Sequence, residues 1–320
     1  MLSLHGQVLL MNKFGTMRRL MTYFLAIIFL ASAALDVTAQ GMLAEHYNVQ
    51  YLNMNAGLPN NFVDDIYNDS YGFVWISTHG GGLVRYDGYT FLNFGIGSRG
   101  LQLKSNTCRN VCEDSFHRLW ISYEECTDVL DLSTMHQVVP QCKKVDLGKI
   151  LSGRSIRVYK DTRGKMWLVT MDKIYCITFD AEGNIDNILN YRYVSNTPDI
   201  TIRDIDANGS VWVATGGTLF RLAMKGGKLQ RSSISHALDR LPVNYISDVL
   251  KIKNKVWIGT NLGLFQYDTH INKVVAFHHS SSPRSLSHDY IASLAASPDG
   301  RLLVGTLCGV DIFQEKGNDF

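Results

Sequence analysis

The polar side chains that interrupt an otherwise regular sequence are the candidates for chemistry. His79, Tyr123, Glu124 and Glu125 stand where the equivalent segments elsewhere in the chain carry glycine or small residues, and Arg109, Asn110 and Arg157 fall on predicted strands that are otherwise apolar. Imidazole, phenol, carboxylate, amide and guanidinium together can hydrogen-bond a hydroxyl-rich or charged ligand. His79, Arg109, Asn110, Tyr123, Glu124 and Arg157 are therefore the ligand-binding candidates, each set against the simpler reading of a solvated loop or water-bonded residue. Glycoside cleavage by such residues needs a converging arginine cluster, a nucleophile and an acid. Arg85, Arg109, Arg157, Arg203 and Arg221 occupy differing places along the chain's repeats, so convergence is not expected. The ten histidines form no repeat-locked pair, and no cysteine or histidine cluster has zinc spacing. No catalytic residue, metal or cofactor is expected.

What must position these side chains is a tandem repeat. Trp75, Trp120, Trp167, Trp212 and Trp257 open the phrases W-I-S-T, W-I-S-Y, W-L-V-T, W-V-A-T and W-I-G-T, and Leu303-Val304-Gly305-Thr306 is a sixth copy without the indole. The steps are 45, 47, 45, 45 and 46 residues. A period in the forties with several short strands per unit predicts an all-β fold, a β-propeller of four-stranded antiparallel blades. One tryptophan per unit at a fixed strand position fits packing between blades better than sugar stacking.

Within the first unit, strand-length runs from Phe62, Phe73, Leu83 and Tyr89 are separated by Asp and Gly turns, a four-stranded meander. Asp69, Asp161 and Asp206, each six before a tryptophan, are placed to cap the first turn, with Gly72, Gly164 and Gly209 supplying positive φ. The second repeat keeps Asp114 with His117 in the glycine place; the fifth has Lys251 and Asn254. Thr78, Thr170, Thr215, Thr260 and Thr306 read as satisfied core hydroxyls. The run Gly80-Gly81-Gly82 lacks the following helix and lysine of a phosphate loop, so it reads as a hairpin turn. Six blades are recognisable, the last with three strands. Either Tyr47–Leu52 supplies the outer strand that closes the ring, or the array is an incomplete seven-bladed ring.

The formal charge is +2, and removing residues 1–39, which hold Lys13, Arg18, Arg19 and Asp36, brings it to zero. A neutral chain with no dense basic run argues against nucleic acid as partner. Arg18-Arg19, an apolar run from Leu20 to Leu35 and the small-residue site Val37-Thr38-Ala39 follow the order of a secretory signal, with an uncleaved anchor as the alternative. The domains read as 1–39 signal peptide and 40–320 propeller. Export permits disulfides. Cys126 and Cys142 are the best-placed pair, and buried free thiols are the simpler reading.

The phrase Gly57-Leu58-Pro59-Asn60-Asn61-Phe62-Val63, then Asp69-Ser70-Tyr71-Gly72-Phe73-Val74-Trp75-Ile76-Ser77-Thr78, then Gly82-Leu83-Val84-Arg85-Tyr86-Asp87-Gly88, resembles the two-component regulator propeller repeat. The similarity extends over residues 46–313, with the second and third copies degenerate at Cys126-Thr127-Asp128 and Met171-Asp172-Lys173. The resemblance implies the periplasmic sensor of a Bacteroidetes hybrid two-component system that binds glycan-derived oligosaccharide. It implies as further partners the remaining domains of a hybrid histidine kinase, or a second sensor chain. A second propeller and a kinase, usual in that family, have no counterpart here, so a truncated product or an N-terminal portion of a longer sensor is expected. The D-x-x-G-x-x-W phrase is superficially similar to the Asp box of sialidases, with a different Asp-to-Gly spacing, and similar propellers occur in streptogramin-type lyases. A glycosidase or lyase, or a protein-interaction scaffold, is therefore the alternative to a sensor.

Overall fold

Alternating apolar residues bounded by Asp and Gly turns give short antiparallel strands that cannot bury both faces alone, so they pack as stacked sheets. The computed structural model describes residues 51–313 apart from 99, 143–145, 154, 194–199, 204, 240 and 283. It is a six-bladed β-propeller, built sheet by sheet in chain order. Blade one holds β1 (Val63–Asn68), β2 (Val74–Thr78), β3 (Gly82–Tyr86) and β4 (Phe91–Phe94). Blade two holds β5 (Cys108–Glu113), β6 (Arg118–Tyr123), β7 (Thr127–Asp131) and β8 (His136–Gln137). A short helix α1 (Leu147–Leu151) leads to blade three, β9 (Ser155–Lys160), β10 (Met166–Thr170), β11 (Lys173–Phe179) and β12 (Ile185–Arg192). Blade four is β13 (Ile200–Arg203), β14 (Val211–Thr215), β15 (Thr218–Lys225) and β16 (Lys228–Ser232). Blade five is β17 (Ile246–Ile252), β18 (Lys255–Thr260), β19 (Gly263–Asp268) and β20 (Lys273–Phe277). Blade six has three strands among the described residues, β21 (Ile291–Ala296), β22 (Leu302–Thr306) and β23 (Gly309–Phe313). No described helix is long and apolar enough to cross a membrane.

The core is a series of seams, and every indole points the same way round. Trp75 packs with Val111, Leu119 and Ile121 of blade two, and Trp120 with Val158, Met166 and Leu168 of blade three. Trp167 meets Ile202, Val211 and Val213 of blade four, Trp212 meets Val249, Val256 and Ile258 of blade five, and Trp257 meets Leu294, Leu302 and Val304 of blade six. Each tryptophan thus fills the wedge toward the next blade, as its fixed strand position predicts. Blade six has no successor in the described structure: Val310 and Ile312 on its far side are 67% and 43% exposed. Leu303 takes the tryptophan place there.

The Asp-capped turns are tied to these seams. Asp69 Oδ1 accepts the backbone N–H of Tyr71 and Phe73, both at 2.9 Å, while its Oδ2 accepts the Trp75 indole N–H at 2.7 Å. Asp114 and Asp161 repeat the arrangement, with indole contacts of 2.9 and 3.0 Å from Trp120 and Trp167, and Asp206 holds Trp212 at 3.0 Å. One carboxylate therefore satisfies the turn and the only polar atom of a buried ring. The threonine hydroxyls close the next hairpin: those of Thr78, Thr260 and Thr306 donate to the carbonyls of Gly82, Gly263 and Gly309 at 2.8, 2.7 and 3.1 Å. Gly82 has φ 86°, and a Cβ there would lie 2.1 Å from the Phe94 carbonyl oxygen. The glycine run is a hairpin, as expected.

Successive inner strands pack side by side from β1 through β5, β9, β13 and β17 to β21, while β21 and β1 do not pack on each other in that way among the described residues. The expected closing strand at Tyr47–Leu52 lies mostly outside the described residues. Leu52 is not in a strand, and it packs with Leu58, Ile76, Val84 and Tyr86 of blade one. All six cysteines are free thiols.

Candidate functional site

The inner strands carry one polar residue each at the same register position, immediately before the residue opposite the position after tryptophan. In blade order these are Asp65, Asn110, Arg157, Thr201, Asp248 and Ser293. A β-bulge falls at this place in blades one, two, three, five and six, which turns the side chain along the ring instead of across the sheet. Asp65 Oδ2 accepts from the backbone N–H of Val111 in the next blade at 3.1 Å and from Asn110 Nδ2 at 2.6 Å. Asn110 Oδ1 accepts from Val158 N–H at 2.7 Å, and Asp248 Oδ2 from Leu294 N–H at 3.1 Å. Thr201 donates its hydroxyl to the Ser247 carbonyl at 2.9 Å. These residues clasp each blade to its successor near the axis.

Arg157 breaks the series. A guanidinium cannot accept a hydrogen bond, and its shielded Nε has no hydrogen-bond partner among the described residues. Burial lowers its pKa first, and Arg203 lowers it further, against the opposing pull of Asp65, Asp248 and Tyr245. Arg203 reaches Asp248 Oδ1 with Nη2 at 2.8 Å and lies over the Tyr159 ring at 5.8 Å. Arginines and carboxylates from blades one, three, four and five thus act on one another around the axis. The arginine convergence not expected from the sequence is present, for Arg157 and Arg203.

A second charged group spans blades one and two. Asp64 Oδ2 lies 3.6 Å from His79 Nδ1, and Arg109 Nη2 lies 3.1 Å from Glu124 Oε1. Burial raises the Asp64 carboxyl above its ordinary value, opposed by His79 and Arg109. Of the candidates, His79, Arg109 and Glu124 are therefore brought together, and Arg157 joins the axial ring. Asn110 is buried and its amide is occupied by the clasp. Tyr123 is fully buried in the seam between blades one and two, where burial holds its phenol protonated well above the ordinary range, so it presents no ligand-facing surface. Glu125 is exposed on the loop. Among the described residues no three His, Cys, Asp or Glu side chains are grouped to hold a metal ion.

Asp64, Asp65, Arg203 and Asp248 were not singled out by sequence reasoning. The signal exists but is disguised by turn length. Asp65, Asn110 and Arg157 each lie ten residues before a tryptophan, whereas Thr201 lies eleven and Asp248 nine before theirs. Only the pairing register puts them in one ring.

Burial raises the Asp65 carboxyl above 3.8, and this outweighs the lowering effect of the Val111 N–H and Arg157. A carboxyl raised in the folded state adds stability below 3.8 and loses it as pH rises through the folded value. Asp65→Asn keeps an oxygen for Val111 and Asn110 and carries no charge to bury. Its melting temperature is expected to exceed that of the unaltered chain at pH 7, with the gap shrinking as pH falls toward 3.8. A variant that melts lower at pH 7 would contradict this account.

The radial sheets and polar axis define a β-propeller with a charged inner surface. Residues 57–80, which form the first clasp strand, Asp-capped turn and tryptophan strand, match the family model described as two component regulator propeller. No curated protein matches the sequence. Among solved structures it is similar to the extracellular domain of a hybrid two component system from B. thetaiotaomicron, at 19% identity and TM-score 0.51 over 82% of this chain and 41% of that one. It is also similar to PorZ, a surface component of the type-IX secretion system of Porphyromonas gingivalis, at 16% identity and TM-score 0.57 over 79% of this chain and 38% of that one. A catalytically inactive virginiamycin B lyase from Staphylococcus aureus matches at 12% identity and TM-score 0.56, over 82% of this chain and 87% of that one. The chain spans about two-fifths of the length of the first two. Likeness at these identities is likeness of fold.

Proposed function

We propose that this chain is an extracytoplasmic, ligand-sensing propeller of a two-component signalling system, that it binds a glycan-derived oligosaccharide at its axial ring, and that it acts by binding without catalysis. Residues 1–39 are the export signal and 40–320 the sensor domain in this reading, and the remaining domains of a hybrid kinase, or a second sensor chain, are its signalling partners. The two component regulator repeat at residues 57–80 supports the signalling role. The observation that carries the binding role is Arg157. Every neighbouring ring position for which a contact is known spends its side chain on holding blades together, whereas Arg157 has, among the described residues, no partner for its shielded Nε beside Arg203 and Asp248. Arginine forks and carboxylates are the groups that fix sugar hydroxyls and acidic substituents. His79, Arg109 and Glu124 extend the polar surface toward blades one and two.

Calorimetric titration of the chain with a panel of oligosaccharides tests the reading. Saturable heat with at least one glycan, lost on Arg157→Gln, is expected. A folded chain that gives no heat with any glycan would refute it. A lyase or hydrolase reading draws on Asp64, whose raised carboxyl beside His79 suits acid–base work. The same titration separates the two, because turnover gives continuing heat and new products where binding gives neither.

A further inference from the structure

The inner strands begin at the same end of the sheets as the loops that carry His79 and Glu124, and aromatic residues gather there. The residue immediately before the inner strand is Phe62 in blade one, Thr107 in blade two, Tyr245 in blade five and Tyr290 in blade six. Tyr245 and Tyr290 are not seam fillers: neither belongs to the apolar clusters on the two sides of blade five, and both are half-buried. Instead they lie against each other from one blade to the next, with ring centroids 6.2 Å apart and planes at 27°. Carbon atoms of rings stacked squarely approach to about 3.5–4.0 Å, so these two rings are slid past one another. Half-buried and offset, they make an aromatic ledge two rings long.

Polar groups border the ledge. Thr260 closes β18 opposite Ile246, so Asn261 stands level with Tyr245 and donates its N–H to the Tyr245 carbonyl at 3.3 Å. Asn261 Nδ2 donates to Asn244 Oδ1 at 2.7 Å, while its shielded Oδ1 has no hydrogen-bond partner among the described residues. A shielded amide oxygen is costly until a donor reaches it. His288 Nδ1 accepts the Tyr290 N–H at 2.8 Å, so the neutral imidazole carries its proton on Nε2, as a donor. An aromatic surface with an acceptor and a donor at its edge suits a hydroxyl-bearing ring with a flat C–H face. None of these bordering groups carries a fixed charge. Tyr245 is near enough to Arg157 to oppose the lowering of its pKa, so the ledge continues the axial site.

We infer that Tyr245 and Tyr290 form a stacking subsite beside the axial ring, which holds two adjoining uncharged pyranose units whose hydroxyls are equatorial, with Asn261 Oδ1 and His288 Nε2 bonding hydroxyls at their edge. The inference rests on the oligosaccharide reading above and adds to it the class of sugar. Equatorial hydroxyls leave both faces of the ring lined by C–H and free to lie flat on an aromatic, whereas an axial hydroxyl stands up from one face and lifts the ring away. Cellohexaose, with every hydroxyl equatorial, is the probe. The mannose hexamer of the same β linkage, with one axial hydroxyl on each unit, is the comparator. Each is titrated by calorimetry into the full chain. Cellohexaose is expected to bind about tenfold more tightly than the mannose hexamer, with little dependence on salt. Tyr290→Ala is expected to weaken cellohexaose about tenfold, the worth of one stacked ring, while Tyr290→Phe keeps the ring and retains binding. Cellohexaose binding that is lost on Arg157→Gln but unmoved by Tyr245→Ala and Tyr290→Ala would overturn the ledge and leave the axial reading standing. Equal binding of the mannose hexamer, or binding of other oligosaccharides without cellohexaose, would do the same. A folded chain that binds no glycan would overturn both.

Discussion

Trp167→Ala is expected to lower the stability of the chain by about 3–5 kcal/mol, the range for truncating a large buried aromatic. Against a whole stability of about 5–15 kcal/mol, that is a large share. The ring is 1% exposed and joins blade three to Ile202, Val211 and Val213 of blade four. It sits at the middle of an array in which each blade contacts its neighbours, so the loss falls where the two halves are coupled. Denaturant unfolding should show a lower midpoint, and a broadened or split transition if the halves separate. Trp167→Phe keeps much of the apolar contact but strands Asp161 Oδ2, which now accepts the indole N–H at 3.0 Å. Its cost should be about 1–3 kcal/mol, that of an unsatisfied buried polar group. Tyr89, 93% exposed on a turn, is the control, and Tyr89→Ala should change stability by about 0.5 kcal/mol or less. Equal losses for Tyr89→Ala and Trp167→Ala would remove the role of the indoles as seam fillers.

The seams were legible because two periods reinforce each other there. The tryptophan phrase recurs every 45 to 47 residues, and alternation within each phrase marks which residues face inward. The turn aspartate was legible as a cap, because its spacing to glycine is a local matter. Its second oxygen was not, since the bond from Asp69 to the Trp75 indole depends on the strand returning beside the turn. The axial ring was hidden further. Asn110 and Arg157 stood out as polar residues on apolar strands, but Asp248 and Arg203 are displaced in the sequence by turns of different length, and bulges re-aim the ring side chains at most blades. Tyr123 misled for the converse reason. It stands three places after its tryptophan, level with Thr78, so it is the last residue of β6 and is buried, whereas His79 stands one place further on, beyond the end of β2, on the loop.

Arg157→Gln is expected to separate function from stability. At a clasp position, loss of a partnered side chain should destabilise. Asp248→Ala strips Leu294 N–H of its acceptor and leaves Arg203 without the carboxylate 2.8 Å away, and is expected to cost about 2–3 kcal/mol, below the figure for a wholly buried pair because Arg203 retains some solvent. For Arg157, Nε has no hydrogen-bond partner among the described residues, burial disfavours its charge, and Arg203 repels it, against the pull of Asp65 and Asp248. Glutamine relieves both penalties, so the melting temperature should stay level or rise. Oligosaccharide binding should fall about ten- to a hundredfold, the worth of one charge-assisted hydrogen bond of about 1.5–3 kcal/mol. A stability cost that is repaid only by a ligand is the pattern of a binding residue. If Arg157→Gln instead melted well below the unaltered chain, like Asp248→Ala, Arg157 would be one more clasp, and the axial ring would lose the residue that marks it as a binding surface.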